Sequence, residues 1–263
     1  MRLLSWLRKK FRRSGVIAIV RLEGVIATGG RLGGGINDQT MAPLIEKAFD
    51  LGKLKAVALI INSPGGSPSQ SSLLAARIIR LSNEKNVPVY AFCEDVAASG
   101  GYWLACSAQE IFADENSIVG SIGVISAGFG FHEFIARQGV ERRIYTSGEE
   151  KSMLDPFRPE KKDEIARLKL IQKSIHLNFK NFVSSRRGEK IDGKKVFTGE
   201  FWEAERAREL GLIDGIGHLE PLLKEKYGSD IKFKKLDRKR GIFSRFGKAS
   251  VDGIIEGVNE NAF

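Results

Sequence analysis

Cysteine is nearly missing from this sequence: Cys93 and Cys106 are the only two in 263 residues. Neither stands in a CxxC or metal-ligand spacing, so zinc and dithiol chemistry have no support, no metal or other cofactor is expected, and two buried free thiols are the simpler reading. Histidine is almost as scarce. His132, His176 and His218 are the three present, and each falls in a helical or cap context with no motif around it. Also missing is any apolar run near the roughly 18 to 20 residues needed to span a bilayer, because Val16–Leu22 contains Arg21 and is followed by Glu23. Val16–Val20 is too short for the apolar core of a secretory signal. Six glycines lie between Gly24 and Asp38, but without a strand-GxGxxG-helix order or a GxxxxGK[ST] motif, so a phosphate cradle is not expected there.

What is present is an ordinary globular composition, 42% hydrophobic and 28% charged, in a chain long enough to bury a large core. The formal charge of +10 is unevenly placed. Residues 1–13 hold six Arg/Lys and no acid, and 232–248 hold eight with one Asp, which leaves the remainder slightly acidic. The basic balance therefore describes the ends, and specific nucleic-acid binding is not implied. Leu3, Leu4, Leu7 and Phe11 alternate with Arg2, Arg8, Lys9 and Lys10 at helical spacing, as in an interfacial amphipathic helix. These features set a basic amphipathic segment at 1–15 and a basic extension at 221–263 apart from a folded middle domain at 16–220.

Short β-branched runs alternate with helical patterns: Val16–Leu22, a helix near Gln39–Leu51, Ala56–Ile61, a helix near Gln70–Glu84, then Val87–Cys93. That order predicts βαβ crossovers and a largely parallel sheet. Ala56–Ile61 is apolar without alternation, as expected of a central strand covered on both faces. Further on, the pattern predicts a helix over 99–107, strands at Glu110–Ala113, Ile118–Ile125 and Glu141–Tyr145, and a helix near Phe131–Gln138. A long amphipathic helix follows over Pro159–Arg187, and a helix over Trp202–Leu210 ends at Gly211, a left-handed cap.

Amide hydrolysis needs a nucleophile, a base and donors for the oxyanion. Ser99 follows a strand, opens an apolar helix, and is flanked by Ala97-Ala98 and Gly100-Gly101, small residues that let a substrate backbone approach. It reads equally well as a plain helix N-cap. The turn Asn62-Ser-Pro-Gly-Gly66 ends the central strand, so both turns lie at the carboxyl edge of the sheet, where ligands bind in open α/β folds. Composition singles out no base. A lysine base has to be neutral, which requires burial to lower its pKa from about 10.4. Lys151 sits where a polar loop meets an apolar one, but Glu149 and Glu150 beside it would raise its pKa if they faced it. His132 is the histidine nearest to Ser99 in sequence, and a triad through it stays open.

At these residues the sequence resembles the signal peptide peptidase A family, whose fold is that of ClpP and the crotonases. The matching pieces are Asn62–Gly66, Ala97-Ala-Ser-Gly-Gly-Tyr-Trp103, Ile118-Val-Gly-Ser-Ile-Gly-Val124, Ser147-Gly-Glu-Glu-Lys151, and Phe197-Thr-Gly199 with Ala207–Asp214. The resemblance implies an α/β fold of stacked ββα and βαβ units with a largely parallel sheet. It implies Ser99 as nucleophile, Lys151 as base, Ser121 holding the lysine amine, and Gly66 and Gly100 as oxyanion donors. It implies peptide substrates, among them remnant signal peptides, and a homo-oligomeric ring or dome in which Lys151 can come from a neighbouring subunit. Without a membrane-spanning helix, the expected location is the cytoplasm, with peripheral contact at the inner face of the cell membrane. Two other readings compete: a crotonase-like enzyme of acyl-CoA thioesters, and a membrane-associated scaffold that has lost its chemistry.

Overall fold

The computed structural model describes residues 15–28, 35–148 and 150–236. The amphipathic segment at 1–13 and most of the basic C-terminal extension lie outside the described residues. Strand β1 (Val16–Glu23), helix α1 (Asp38–Phe49), strand β2 (Leu54–Ser63), helix α2 (Pro68–Lys85) and strand β3 (Val89–Ala98) form two successive crossovers. In them β1 pairs with β2, and β2 with β3, all in parallel. The local code is visible at the helix starts. The Asn37 side chain accepts from Thr40 N–H at α1, and Ser67 accepts from Gln70 N–H at α2, with Pro68 in the first turn.

The chain continues through helix α3 (Gly100–Ala105), strands β4 (Glu110–Ala113) and β5 (Ile118–Gly120), and helices α4 (His132–Arg137) and α5 (Lys162–Arg187). After a short helix α6 (Gly193–Val196) come β6 (Phe201–Glu203), α7 (Ala204–Glu209), β7 (Gly215–Ile216), α8 (Leu219–Tyr227) and β8 (Lys232–Leu236). The sheet runs β6-β5-β3-β2-β1-β8, with β4 and β7 branching from β3. Every pairing in it is parallel except β5 with β6. Strand β8, which lies within the basic segment after residue 220, pairs with β1 from Val16 to Val20.

The main core lies on the α1, α2 and α3 face, built on residues such as Leu22, Leu59, Ile61, Leu74, Ile78, Tyr102 and Leu104. A smaller one on the opposite face joins Ile17, Ala58, Tyr90 and Phe92 to Leu223 of α8. Strand β2 is covered on both faces, as its apolar run predicts. Gly211, at φ +76°, ends α7 in the paired bonds of a Schellman cap: Gly211 N–H to the Arg208 carbonyl and Leu212 N–H to that of Ala207.

Four predicted elements differ. The helix expected over Trp202–Leu210 starts only at Ala204, because Phe201–Glu203 pair with β5 as strand β6. Residues 141–145 have no regular structure; Tyr145 is 90% exposed, and no neighbouring strand edge among the described residues offers these residues a ladder. Strand β5 stops at Gly120, because Ser121 takes up φ +54° and leaves the ladder. Strand β3 runs five residues beyond Cys93, to Ala98, by switching partner: Tyr90–Cys93 pair with β4, and Val96–Ala98 pair with β5. The register of β2 against β3 shifts at that switch. Asn62 ties it down, donating to Asp95 Oδ2 at 2.7 Å and accepting from Val96 N–H at 3.3 Å.

Candidate active site

The second half of β3 delivers Ser99 to the carboxyl edge of the sheet. Ser99 stands in the N-cap position of α3, but its side chain makes no capping hydrogen bond, and its backbone sits at φ 52°, ψ −118°. That conformation is uncommon for a residue with a Cβ and costs on the order of 1–3 kcal/mol. The N-cap reading of Ser99 therefore fails on geometry. The residue is held by its main chain, with its N–H donating to the Gly120 carbonyl at 2.8 Å and its carbonyl accepting from Trp103 N–H at 3.0 Å. The hydroxyl is left to the half-buried edge.

Beside it, β2 ends in the turn Pro64-Gly65-Gly66. The two turns touch through main chain: a Cβ on Gly65 would lie 2.6 Å from Gly100 N and 2.9 Å from Ser99 Cβ. One on Gly101 would lie 2.4 Å from the Ser63 carbonyl oxygen. Behind the turn passes Ile26, whose N–H donates to Gly65 O at 2.8 Å and whose carbonyl accepts from Ser67 N–H at 2.7 Å. A Cβ on Gly66 would meet that carbonyl oxygen at 2.0 Å. Only glycine fits this sandwich of three backbones. The N–H groups of Gly66 and Gly100 bond to no carbonyl among the described residues, so each of the two turns that meet at Ser99 carries an unspent backbone donor. Ile26 lies at the start of the glycine-rich segment between Gly24 and Asp38, of which residues 29–34 lie outside the described residues.

Ser121 follows Gly120 directly and is the second non-glycine residue here with positive φ. Its N–H donates to Glu200 O at 2.6 Å. Because Ala98 and Gly120 are register partners and Ser99 N–H bonds to Gly120, the structure brings Ser99 and Ser121 onto neighbouring turns.

Lys151 is placed elsewhere. It is exposed, in the loop that follows residues 141–146, with its N–H on the Gly148 carbonyl at 3.2 Å. The concavity it borders is walled by Arg142, Ile144, Thr146 and residues 152–157, and includes neither Ser99 nor Ser121. This loop is fastened to the start of α5, where buried Glu164 accepts from Leu154 N–H at 2.9 Å, and to α4, where Phe131 stacks on Phe157 at 5.6 Å. Within one chain the structure does not join Lys151 to Ser99. No histidine bonds to Ser99 among the described residues either, and His218 instead pairs with Asp114 at 2.8 Å. Among the described residues no group of His, Cys, Asp and Glu is arranged to hold a metal ion.

The far half of α5 backs the helix that Ser99 opens. Trp103, four residues after Ser99, stacks on Phe179 and Phe182 with ring centroids 4.5 and 5.3 Å away. Each such pair adds about 0.5–1.5 kcal/mol beyond burial. Arg186 donates to the carbonyls of Cys106, Ser107 and Ala108 at the end of α3. Tyr102 donates to the Leu212 carbonyl at 2.8 Å, linking α3 to the Leu210–Asp214 stretch. The buried Arg187 binds Asp214 at 2.7 Å, and Asp214 also accepts from Lys190 and from Ile111 N–H. Burial works to raise the Asp214 carboxyl, but these donors outweigh it and hold its pKa below the ordinary value.

The model of peptidase family S49 matches residues 82–228. The chain belongs to peptidase family S49. That span contains Ser99, Ser121 and Lys151 and places the chain among peptidases. It is 48% identical over 231 residues to a Brucella abortus protein named Na(+)/H(+) antiporter NhaA, covering 87% of this chain and 31% of that protein. It is 30% identical over 204 residues to the chloroplastic serine protease SPPA of Arabidopsis thaliana, covering 77% of this chain and 29% of that one. The chain thus spans about a third of the length of these curated relatives. In fold it is similar to the 1510-N membrane-bound stomatin-specific protease, with a TM-score of 0.53 at 12% identity, over 85% of this chain and 98% of that one. The α/β fold with a largely parallel sheet is therefore that of a known protease.

Proposed function

We propose that this S49 chain is a serine endopeptidase in which Ser99 attacks the peptide carbonyl and Lys151 takes its proton. The N–H groups of Gly66 and Gly100 stabilise the oxyanion, and the Ser121 hydroxyl orients the lysine amine. The observation that carries this reading is the conformation of Ser99: a strained, uncapped serine beside two unspent N–H donors. Donors of that kind act on the charge that develops in the transition state, and removing one typically costs about 100- to 1,000-fold in kcat. The lysine acts as base only when neutral, so it has to be desolvated when substrate is bound.

Lys151 reaches Ser99 from a neighbouring subunit of a homo-oligomeric ring or dome. Two observations support this. Lys151 is exposed and apart from Ser99 within one chain. The surrounding segments also present large apolar side chains to solvent, with Ile125 86% and Phe129 80% exposed, alongside Phe134, Leu170 and Leu177. Patches of this kind mark contact surfaces. Substrates are remnant signal peptides or other apolar, membrane-derived peptides. Among the described residues no helix is long and apolar enough to cross a membrane, and the basic ends hold the assembly at the inner face of the cell membrane through anionic lipid. The test is labelling of the full chain by a fluorophosphonate, alongside turnover of an apolar peptide. Label on Ser99, lost in Ser99→Ala, with turnover reduced at least about 100-fold in Lys151→Ala, is the expected result. A Lys151→Ala variant that keeps more than about a tenth of wild-type activity overturns the assignment of the base.

A further inference from the structure

The helix that backs α3 also reaches the turn carrying Ser121. His176 lies in α5 three residues before Phe179, and so on the same face as that buried ring. Its Nε2 is 3.0 Å from the carbonyl oxygen of Ile122. A carbonyl oxygen offers only lone pairs, so the imidazole is the donor, with its proton on Nε2. Ile122 is fully buried and adjoins Ser121, whose positive φ has to be imposed from outside. The other fixings of this turn are main chain to main chain: Ser99 N–H to Gly120, Ser121 N–H to Glu200 and Gly123 N–H to Ser121. Among the described residues, His176 is the one side chain hydrogen-bonded to it.

We infer that His176 is a positioning residue for the peptidase reaction. By holding the Ile122 carbonyl it fixes the direction of the Ser121 hydroxyl, and with it the place of the lysine amine against Ser99. This rests on the Ser99–Lys151 reading above. The imidazole Nε2–H acts here by holding a carbonyl in place, so the role is mechanical. Through α5 the two halves of the site share one support, since Phe179 and Phe182 hold the helix after Ser99 while His176 holds the turn of Ser121.

The test compares His176→Leu, which fills the space without a donor, with His176→Gln, whose amide N–H stands where the imidazole Nε2–H was. Steady-state kinetics of the full chain on an apolar peptide are expected to show kcat lowered at least about tenfold in His176→Leu with KM within about twofold. His176→Gln is expected to return to within about threefold of wild type, since it restores the donor. His176→Met is the second donor-free variant should leucine disturb the fold. A packing role gives the reverse order, with leucine tolerated and glutamine worse, and that order overturns the inference, as does a donor-free variant that keeps more than half of wild-type kcat. Fluorophosphonate labelling separates the two claims. Failure to label Ser99 in the wild type sinks the underlying reading, whereas wild-type labelling that proceeds at the same rate in His176→Leu sinks the inference alone.

Discussion

Replacing Gly65 by alanine tests whether the site depends on contact between two main chains. The added methyl would stand 2.6 Å from Gly100 N, 2.9 Å from the Ala98 carbonyl oxygen and 2.9 Å from Ser99 Cβ. Reaching an ordinary contact of 3.4 Å requires the turns to part by about 0.8 Å, and all three obstacles are backbone or Cβ atoms with no rotamer to change. The position also has φ +98°, where a side chain adds strain. Together these costs come to about 2–3 kcal/mol, a fall in Tm of roughly 4–12 °C for a domain of this size. The larger effect is on rate, because a displacement of this order at a catalytic donor costs about 100-fold. Thermal unfolding and peptide turnover, both on the full chain well below the transition, check it. A variant within about tenfold of wild type in kcat/KM, while still folded, refutes the argument that Gly65 sets the spacing of nucleophile and donors.

Two further outcomes follow from the buried polar groups. Burial pushes both Cys93 and Cys106 up to about 12, and both thiols are enclosed. A disulfide reagent at pH 8 is therefore expected to titrate neither in the native chain and both in denaturant, and a fast native reaction of either refutes their burial. Asp214 is held below its ordinary pKa by Arg187 and Lys190. Its contribution to stability is thus complete above the unfolded value of about 3.9 and is lost as pH falls through the lower folded value. Asp214→Asn is expected to cost about 3 kcal/mol at neutral pH by leaving Arg187 buried without its charge. Its Tm should also fall less than that of the wild type between about pH 5 and pH 3, and parallel Tm profiles would contradict this.

Much of the sheet was legible because its elements are short and strongly patterned. Glu110–Ala113 is a strand with the boundaries expected from the sequence, and the long amphipathic stretch is α5 from Lys162 onward. Ser99 and Gly65-Gly66 were legible as turns at strand ends, since small residues between a strand and a helix leave few other conformations. What the sequence could not carry was set by distant partners. The switch of β3 from β4 to β5 depends on Asn62 and a register shift, neither of which leaves a periodicity. The passage of Ile26 behind Gly66 is a long-range main-chain contact. His176 stood within an apolar stripe, at three residues from Phe179, and that misfit was its only signal. Residues 141–145 carried the pattern of a strand without a neighbour to pair with among the described residues.

The closeness of Gly65 to Gly100, and of Gly101 to the Ser63 carbonyl, has a consequence for how such a protein can change. In the proposed reaction the parts that grip the carbonyl under attack are peptide groups, which mutation cannot exchange for something better. Side-chain variation at the glycines can only push the groups apart. Adaptation to new peptides is therefore channelled into the loop of Lys151 and the exposed apolar segments around it, whose contacts with the sheet edge are few. A saturation library would show this as two zones, with a narrow stretch at Ser63–Gly66 and Ala98–Gly101 that accepts almost nothing, and a broad one at residues 125–160 where specificity is free to drift.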